Sequence, residues 1–545
     1  MIKNRYLSLI FTINLIFLFV ILRLFYWQIW QGPVLKEQAL RQTQKIEKII
    51  PLRGKIFFND NSPWVLNQTN YQLSLYKPNL KQDLNEIYKT IENIKPNFTV
   101  ENGQIIDNFT HNSQKQWQSF PTLFSQKESQ LLTLPGLSFN QVYSRYYPEK
   151  NLGQDITGII AQNQQGLQVG YGGLEAYYHK QLLGKTGYSK TAIDATGQTL
   201  LSQKIWQSGS INGRDIHTSI NRKIQFLIQQ KLSQAINDYL AESGSIILME
   251  PSSGAILAMS SLEASPSAEK NSAIADLFEP GSIFKPLVVA MALDSQSIDK
   301  NYHCPQCQNA RTIGEYTINN WDFSYHPDTD IKDTLKNSDN ISMSYIIDAL
   351  GQDNFLKYYH LLNLDQKIGI DLQGEARPLN KTYWSPLDLA TASFGQGFAI
   401  TQLQMLHAFN SLANNGWTEK PKIVNYLSEE NKIIKIKNSQ KTKIFDSQTT
   451  DQIKEYLKYI VENSNLAKLK PANLEVCGKS GTAQIAKLGQ YQESATIASF
   501  IGFSPCQQAK FSLIVTLVKP KASPWGSTTA APVWFDLAEK LSHLL

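Results

Sequence analysis

The chain has few cysteines and little net charge for its length. Its 545 residues include four cysteines, and the formal net charge is only +6. It has no basic stripe with interleaved aromatic residues and no nucleic-acid motif, so nucleic acid is not expected as a partner. Neither an internal repeat nor a low-complexity tract is evident, and a chain of this length predicts two or more domains.

The small number of cysteines also limits the possible metal and redox chemistry. Cys304 and Cys307 form a C-x-x-C pair, which outside the cytoplasm favours a small disulfide. Zinc would require another pair, and Cys477 and Cys506 are not spaced as one. We therefore expect a disulfide or free thiols rather than a metal site, a packing role for Cys477, and no cofactor.

Only the N-terminus has an apolar run of membrane-spanning length. Leu7–Leu22 is almost entirely apolar and, past a single Arg23, the run continues to Ile29, which suffices to cross a bilayer. No small-x-small cleavage site follows it, because Arg23 to Trp30 is bulky throughout. The sequence therefore predicts an uncleaved anchor rather than a signal peptide.

Ser282 is the strongest candidate for a reactive residue. Pro280-Gly281 interrupts the chain before it, and a long apolar run, Leu287–Leu293, follows it. Pro286 fits a helix that begins just after Ser282, since the first N–H groups of a helix have no intrahelical partner. Ser282 and Lys285, three residues apart, would then share one helix face.

Three other S-x-x-K pairs occur, and their contexts differ from that of Ser282. Ser74 lies in an alternating segment typical of a strand, Ser267 in a Ser/Pro/Ala-rich loop, and Ser297 in a polar stretch after an apolar run. None of them stands at a predicted helix start. A solvated surface pair is therefore the expected role of each.

Two further elements follow Ser282 in order. Ser338-Asp339-Asn340 comes first, and Lys479-Ser480-Gly481-Thr482 follows much later in the chain. Lys185-Thr186-Gly187 has a similar pattern, but it precedes Ser282 and its glycine-rich setting predicts a turn. The ordered set resembles the signature shared by penicillin-binding proteins and serine β-lactamases.

Acyl transfer gives each element a role. Ser282 would attack a carbonyl carbon and hold the acyl group. Lys285 would take the serine proton, which requires a neutral amine, so burial and a second cation must lower its pKa. Lys479 is the expected second cation. Ser338 would relay a proton to the leaving amine.

The remaining candidates would hold the substrate. Asn340 would bond the substrate amide and Lys285, and the small Gly481 suits close approach of a substrate backbone. Ser480 and Thr482, with Lys479, would bind a carboxylate. Backbone N–H groups of Ser282 and Thr482 would form an oxyanion hole.

Segments outside the three elements resemble the class B penicillin-binding proteins, the monofunctional transpeptidases of the bacterial cell wall. The matching stretches include Arg53-Gly54-Lys55-Ile56, with Asn59, Asp60 and Ser62 as departures from the family pattern; Tyr171-Gly172-Gly173-Leu174-Glu175; Ser393-Phe394-Gly395-Gln396-Gly397; and Ala530-Ala531-Pro532-Val533. No Glu-Asp pair occurs between Val34 and Gln225, so a glycosyltransferase domain of the class A type is not expected.

The resemblance implies an α+β, multi-domain fold. We expect a tail and transmembrane anchor over 1–33, a non-catalytic pedestal (dimerisation-type) domain over 34–225, and a transpeptidase domain over 226–545 with an antiparallel sheet and helices on its faces. Lys3 and Arg5 favour a cytoplasmic N-terminus, although Arg23 and Lys36 lie on the other side. A cell-wall enzyme must face outward from the cytoplasmic membrane.

The implied activity is D,D-transpeptidation through an acyl-enzyme on Ser282. The implied partners are D-Ala-D-Ala stem peptides, an acceptor amine, β-lactams, and a membrane-embedded glycosyltransferase with other cell-wall proteins. A β-lactamase or D,D-carboxypeptidase and a non-catalytic penicillin-binding scaffold remain as alternatives. The anchor and pedestal argue against a soluble hydrolase, and the intact triple argues against a scaffold.

Overall fold

A computed structural model provides the structure of the protein. It describes residues 2–162, 168–193, 199–264, 270–379, 381–430, 432–436, 441–487 and 490–545. Ser267, one of the alternative serines, lies outside the described residues.

The N-terminal unit, residues 1–53 and 183–213, begins with a long apolar helix. Its α-helix Ile2–Phe25 continues as a π-helix over Tyr26–Trp30. The span Arg5–Trp30 has a mean hydropathy of 2.4 and is, among the described residues, the one helix long and apolar enough to cross a membrane. It is the candidate anchor that the sequence predicts.

The same unit contains a three-stranded antiparallel sheet. Helix Gly32–Thr43 precedes the strand Gln44–Ile49, which pairs with Gly187–Ile193. Gly187–Ile193 pairs in turn with Thr199–Ser208. The first of these pairings joins the two stretches of chain that make up the unit.

The main unit, residues 54–182 and 214–545, contains a mixed sheet. Its strands in spatial order are Lys432–Lys435, Val424–Glu429, Asp215–Thr218, Ile56–Phe57, Pro63–Tyr76 and Trp117–Phe124, with Leu137–Tyr146 also paired to Pro63–Tyr76. Strands from the first and the last thirds of the chain thus share one hydrogen-bonded sheet. The domain bounds 34–225 and 226–545 stay a prediction.

A small separate core lies beside the far end of this mixed sheet. Helices Leu84–Ile94 and Phe98–His111 belong to it. Phe98 packs against Phe120 and Phe124 of the strand Trp117–Phe124. Burial of these aromatic side chains is the main stabilising contribution that such a small core can make.

A five-stranded antiparallel sheet, the central sheet, organises the C-terminal part of the main unit. Its spatial order is Ile256–Glu263, Ser243–Met249, Phe511–Val518, Gln490–Ser504 and Cys477–Lys487. The first two strands form a hairpin, and Phe511–Val518 lies in the middle of the sheet. The Cys477–Lys487 strand, here named the lysine strand, forms one edge of the sheet.

Helices cover both faces of the central sheet. Phe500 packs against Trp534 of helix Ala530–Ser542, whereas Phe503 packs against Phe409 of helix Gln402–Ala413. Because residues three apart in a strand point to opposite faces, the two helices lie on opposite sides of the sheet. The arrangement confirms the antiparallel sheet with helices on its faces.

Further elements complete the main unit. The other α-helices are Gln126–Leu131, Gln154–Thr157, Gly173–Tyr177, His179–Leu183, Arg222–Asp238, Ser272–Ala275, Lys285–Asp294, Ile331–Asn337, Asn340–Leu350, Gln352–Leu361, Pro386–Ala392 and Ser447–Glu462. Short 3₁₀ turns are Lys77–Asn79, Gly281–Phe284 and Asn465–Lys468. Short strands are Ile159–Gln162, Gln168–Tyr171, Leu277–Phe278, His303–Cys304, Arg311–Ile313, Tyr316–Ile318, Thr329–Asp330, Ile400–Thr401, Trp417–Thr418 and Thr442–Lys443.

Candidate active site

Ser282 lies in a tight turn that leads into a buried helix. A 3₁₀ turn over Gly281–Phe284, the serine turn, continues directly into the α-helix Lys285–Asp294, the serine helix. The sequence predicts an α-helix immediately after Ser282; the structure instead inserts this 3₁₀ turn. Pro286 occupies the second position of the α-helix, where its missing N–H costs nothing.

Glycines allow a second loop to support the serine turn. The Gly281 N–H donates to the Gly395 carbonyl at 2.9 Å. Gly395 has φ +79°, and a Cβ there would lie 2.2 Å from the Gly281 oxygen. The Gly397 N–H also donates to Glu279 at 3.0 Å. Only glycine at position 395 permits this contact, which fixes the backbone just before Ser282.

Ser338 occupies a strained position between two helices. It lies between helices Ile331–Asn337 and Asn340–Leu350 with φ 57° and ψ 44°, in the left-handed region that non-glycine residues seldom adopt. The N–H of Ser342 donates to the Asp339 carboxylate at 2.8 Å and so caps the second helix. The strain is held by these helix ends, and it turns the Ser338 side chain toward Ser282.

The lysine strand packs its glycine against the serine turn. A Cβ on Gly481 would lie 2.9 Å from the Ile283 side chain and 2.8 Å from Ser499 Oγ. Any larger residue would therefore push the strand away from the turn that carries Ser282. Thr482, the next residue, accepts a hydrogen bond from the Gly526 N–H at 3.0 Å.

Hydrogen bonds join the predicted catalytic side chains into one cluster. The Ser338 hydroxyl donates to Ser282 Oγ at 2.8 Å. Lys285 Nζ donates to Ser338 Oγ at 3.2 Å, to the Ser338 carbonyl at 2.6 Å and to Asn340 Oδ1 at 2.8 Å. Lys479 Nζ donates to Ser338 Oγ at 3.2 Å. Ser338 is therefore the common partner of Ser282 and the two lysines.

Both lysines are buried in surroundings that disfavour their charge. The Lys285 side chain is fully buried and that of Lys479 is nearly so. Burial lowers the pKa of Lys285 well below its ordinary value, the Lys479 charge lowers it further, and the Asp339 carboxylate opposes both. Burial lowers the pKa of Lys479 to about 8. Lys285 is thus suited to act as a neutral base.

The alternative S-x-x-K pairs have no comparable surroundings. The Ser74 side chain is buried in a strand against Ser119, and Lys77 instead reaches the Asn112 carbonyl. Ser297 contacts Ser295 after the serine helix has ended. Neither serine stands at a helix start, as the sequence predicts.

The lysine and threonine of the alternative tripeptide Lys185-Thr186-Gly187 are exposed. Lys185 forms an isolated bridge with Ile211, and Gly187 begins a strand of the N-terminal unit. This differs from the plain turn that the sequence predicts, because a neighbouring stretch of backbone is available to pair with it. Lys185 and Thr186 are both exposed to solvent.

All four cysteines form disulfides. Cys304 pairs with Cys307, which confirms the first of the two states expected for the C-x-x-C pair. Cys477 pairs with Cys506, so the interpretation of Cys477 as a mere packing residue is wrong. The two lie 29 positions apart in the sequence, and only pairing of two adjacent strands brings them together. The bond links the start of the lysine strand to the turn after its neighbour.

Sequence reasoning gave no role to Asn320 or Gly526, although both contact the site. Asn320 Oδ1 accepts the Asn340 N–H at 2.7 Å, and Gly526 donates its N–H to Thr482. The Asn319-Asn320 pair before a turn was a weak signal for the first. Nothing in the sequence around Gly526 indicated that a Cβ there would lie 2.2 Å from the Gly481 oxygen.

Three named relatives resemble this chain along most of its length. It is 28% identical over 554 residues to the peptidoglycan D,D-transpeptidase FtsI of Buchnera aphidicola subsp. Schizaphis graminum, covering 96% of this chain and 92% of that protein. It is 28% identical over 429 residues to the stage V sporulation protein D of Bacillus subtilis, covering 75% of this chain and 65% of that protein. It is 26% identical over 420 residues to the probable peptidoglycan D,D-transpeptidase PenA of Neisseria gonorrhoeae, with coverage of 74% and 69%.

Solved structures share the fold. Penicillin binding protein 2X from Streptococcus thermophilus superimposes with a TM-score of 0.74 at 20% identity, covering 92% of this chain and 80% of that one. A peptidoglycan synthetase from Bifidobacterium adolescentis gives a TM-score of 0.72 at 19% identity, with coverage of 92% and 96%. At this identity the likeness concerns the fold alone.

Family models match both parts of the chain. The model described as the penicillin binding protein transpeptidase domain matches residues 244–539, and that of the penicillin-binding protein dimerisation domain matches residues 48–218. The two matches follow each other in the order expected from the sequence. The chain belongs to the family of penicillin-binding proteins that carry a transpeptidase domain behind a dimerisation domain.

Proposed function

We propose that this protein is a peptidoglycan D,D-transpeptidase that acts through an acyl-enzyme on Ser282. The observation that carries the proposal is the contact of Ser282 with Ser338, whose hydroxyl also contacts two buried lysines, Lys285 and Lys479. Two relatives, one named as a peptidoglycan D,D-transpeptidase and one as a probable peptidoglycan D,D-transpeptidase, support the same activity.

Acylation begins with attack of Ser282 Oγ on the carbonyl carbon between the two terminal D-alanines of a stem peptide. When the Lys285 amine is neutral, the Ser282 hydroxyl can donate to Ser338, and Ser338 can donate to Lys285. The serine proton thus reaches Lys285 by way of Ser338 as the new C–O bond forms. The C–N bond then breaks, and the departing D-alanine amine takes a proton back along the same path.

Transfer reverses these steps with a different amine. The amine of a second stem peptide attacks the ester carbon and loses a proton to Lys285. The bond to Ser282 Oγ breaks, and the serine hydroxyl is regenerated. The product contains a new amide in place of the lost one, so no cofactor is required for the balance of atoms and electrons.

Charge and backbone donors hold the substrate during both steps. Lys479, Ser480 and Thr482 bind the terminal carboxylate of the stem peptide. The N–H groups of Ser282 and Thr482 stabilise the oxyanion of the tetrahedral intermediate. Gly481 supports this arrangement because it lets the lysine strand lie directly against the serine turn.

The Arg5–Trp30 helix anchors the protein in the cytoplasmic membrane, with the transpeptidase domain outside. Lys3 and Arg5 near the start of the span favour a cytoplasmic N-terminus. A membrane-embedded glycosyltransferase that supplies the nascent glycan is the expected partner, and β-lactams are expected to acylate Ser282 as substrate analogues. The proposed domains remain the anchor over 1–33, the pedestal over 34–225 and the transpeptidase domain over 226–545.

The test supplies the full-length protein in detergent with a D-Ala-D-Ala or thioester donor and a D-amino acid acceptor. Mass spectrometry of the products should show transfer to the acceptor, increasing with acceptor concentration. Ser297→Ala should behave as the wild type, whereas Ser282→Ala should give no product. Hydrolysis alone at saturating acceptor would identify a carboxypeptidase or β-lactamase instead.

A further inference from the structure

A histidine lies against the middle residue of the Ser338-Asp339-Asn340 element. His326 Nδ1 is 2.7 Å from Asp339 Oδ2. The Asp339 side chain is fully buried, whereas 28% of the His326 side chain is exposed. Since a carboxylate only accepts at this distance, the proton sits on Nδ1, and the imidazole donates to a carboxylate that water does not reach.

The Asp339 carboxylate also accepts hydrogen bonds from two further groups. Its Oδ2 also accepts from Asn320 Nδ2 at 2.9 Å, and its Oδ1 accepts the Ser342 N–H at 2.8 Å. A buried carboxylate needs several donors to remain ionised, and His326 is one of the three. The other two belong to the helix cap and to the turn that carries Asn320.

Further hydrogen bonds connect Asn320 to Lys285, the proposed base. Asn320 Oδ1 accepts the Asn340 N–H at 2.7 Å, and Asn340 Oδ1 accepts from Lys285 Nζ at 2.8 Å. Asn340 Nδ2 is held by the Asn319 carbonyl at 3.0 Å, which fixes the direction of its amide. A continuous series of hydrogen bonds therefore runs from His326 to Lys285.

The charges along this path oppose each other. Lys285 faces the cation Lys479 and the anion Asp339, and the negative charge of Asp339 favours the protonated amine. His326 faces Asp339 through Nδ1, and its Nε2 lies 3.5 Å from Ser324 Oγ, which donates to the Asp322 carboxylate at 2.7 Å. Donation from His326 withdraws negative charge from Asp339 and so weakens its hold on a proton at Lys285.

We propose that His326 is a positioning residue for the acylation of Ser282, acting through Asp339 to hold the Ser338-Asp339-Asn340 turn and to keep Lys285 free to accept a proton. The inference rests on the proposed function, since it assumes that Lys285 is the base. A purely structural role would stabilise the turn without changing the pH at which the base becomes active.

The experiment measures the rate of acylation by a fluorescent penicillin as a function of pH, on the full-length protein in detergent. His326→Ala should react about tenfold more slowly near neutral pH, the order expected when one hydrogen bond to a charged group is lost. The acidic limb of its profile should move to higher pH, because an unshielded Asp339 favours the protonated Lys285.

Two variants serve as rescue and control. His326→Asn places an amide donor where Nδ1 stood, so it should recover most of the rate and return the acidic limb toward the wild-type position. His360 makes a similar contact with Asp365, Nδ1 to Oδ2 at 2.6 Å, with 61% of its side chain exposed. His360→Ala should have the wild-type rate and profile.

The outcomes separate this proposal from the proposed function. The proposal is overturned if His326→Ala keeps the wild-type rate and the wild-type acidic limb. It is also overturned if His326→Ala has a lower melting temperature but an unchanged pH profile. If His326→Ala does not fold, His326→Gln replaces it, since its amide matches the Nε2 position rather than Nδ1 and should show the same defect. A wild-type protein that is not acylated at Ser282 overturns the proposed function itself.

Discussion

The tripeptides Lys479-Ser480-Gly481 and Lys185-Thr186-Gly187 are alike in composition and differ in their surroundings. Lys479 is 3% exposed on the edge strand of the central sheet, where its Nζ reaches Ser338. Lys185 is exposed beside an isolated bridge to Ile211. Burial changes the chemistry of the first lysine, and exposure leaves the second in contact with water.

The chemical role of Lys479 depends on its burial on an edge strand and not on the tripeptide sequence alone. The sheet holds the Lys479 side chain in a buried setting, and its charge then lowers the pKa of Lys285. Gly481 lies against the serine turn, so the same tripeptide also sets the distance between the lysine strand and Ser282. In this protein the tripeptide that joins the candidate site is the one where a sheet edge meets the start of a helix.

Substitution of Ser282 and substitution of Ser297 should give the largest difference in penicillin labelling. Ser282→Ala should abolish labelling by a fluorescent penicillin, because it removes the nucleophile. Ser297→Ala should label as the wild type, because Ser297 contacts Ser295 beyond the end of the serine helix. Labelling of the Ser282→Ala protein to the wild-type extent would remove Ser282 from its role.

Substitution of Lys479 and substitution of Lys185 should give the next largest difference in acylation rate. Lys479→Ala should slow acylation on the order of a hundredfold, comparable with the loss of one preorganised donor. Lys185→Ala should leave the rate near that of the wild type, since the side chain is exposed. Second-order rate constants for a β-lactam measure both, and equal rates for the two variants would contradict the comparison.

The glycines test the packing of the strand against the turn. Gly481→Ala should slow acylation about tenfold, because its Cβ must displace Ile283 or Ser499 and small shifts at a reacting centre are costly. Gly103→Ala is the matched control, since a Cβ at that helical position meets nothing within 4 Å. A wild-type rate in Gly481→Ala would mean that the strand is free to shift.

The pH dependence of acylation tests the electrostatic interaction between Lys479 and Lys285. Acylation should fall as the pH falls through the pKa of Lys285, because only the neutral amine accepts the serine proton. Loss of the Lys479 charge removes one cause of that lowered pKa, so the residual acylation of Lys479→Ala should have its acidic limb at higher pH than the wild type. A limb that stays in place would show that the two lysines do not interact.

The disulfides should have the smallest effect on acylation and a measurable effect on stability. In the chain-entropy account, Cys477–Cys506, with 29 residues of separation, contributes about 3–4 kcal/mol to the free energy of unfolding, against about 2 kcal/mol for Cys304–Cys307. Denaturant unfolding of Cys506→Ala and Cys307→Ala variants measures this difference. A larger loss in Cys307→Ala would contradict that order.

Much of the site was predictable because its residues carry local signals. Pro280-Gly281 before a long apolar run marks the serine turn, and Pro286 marks the start of the helix. The order of the three elements along the chain distinguishes Lys479 from Lys185. The apolar runs of the strand Phe511–Val518 and of the hairpin before Ser282 are typical of buried strands.

The remainder depends on contacts between distant parts of the chain. The pairing of Cys477 with Cys506 follows from the register of two neighbouring strands. Asn320 and His326 reach Asp339 from a loop without regular periodicity. In the mixed sheet Val424–Glu429 pairs with Asp215–Thr218. These segments are far apart in the sequence, and no local pattern encodes their pairing.

The most direct test of Ser282 as the nucleophile is to locate the acyl group. The full-length protein is incubated with penicillin, digested with a protease and mapped by mass spectrometry, with Lys479→Ala and Lys185→Ala treated in parallel. The account predicts a single penicilloyl adduct on Ser282, formed readily by the wild type and Lys185→Ala and slowly by Lys479→Ala. An adduct on Ser74, Ser267 or Ser297, or none in the wild type, would contradict it.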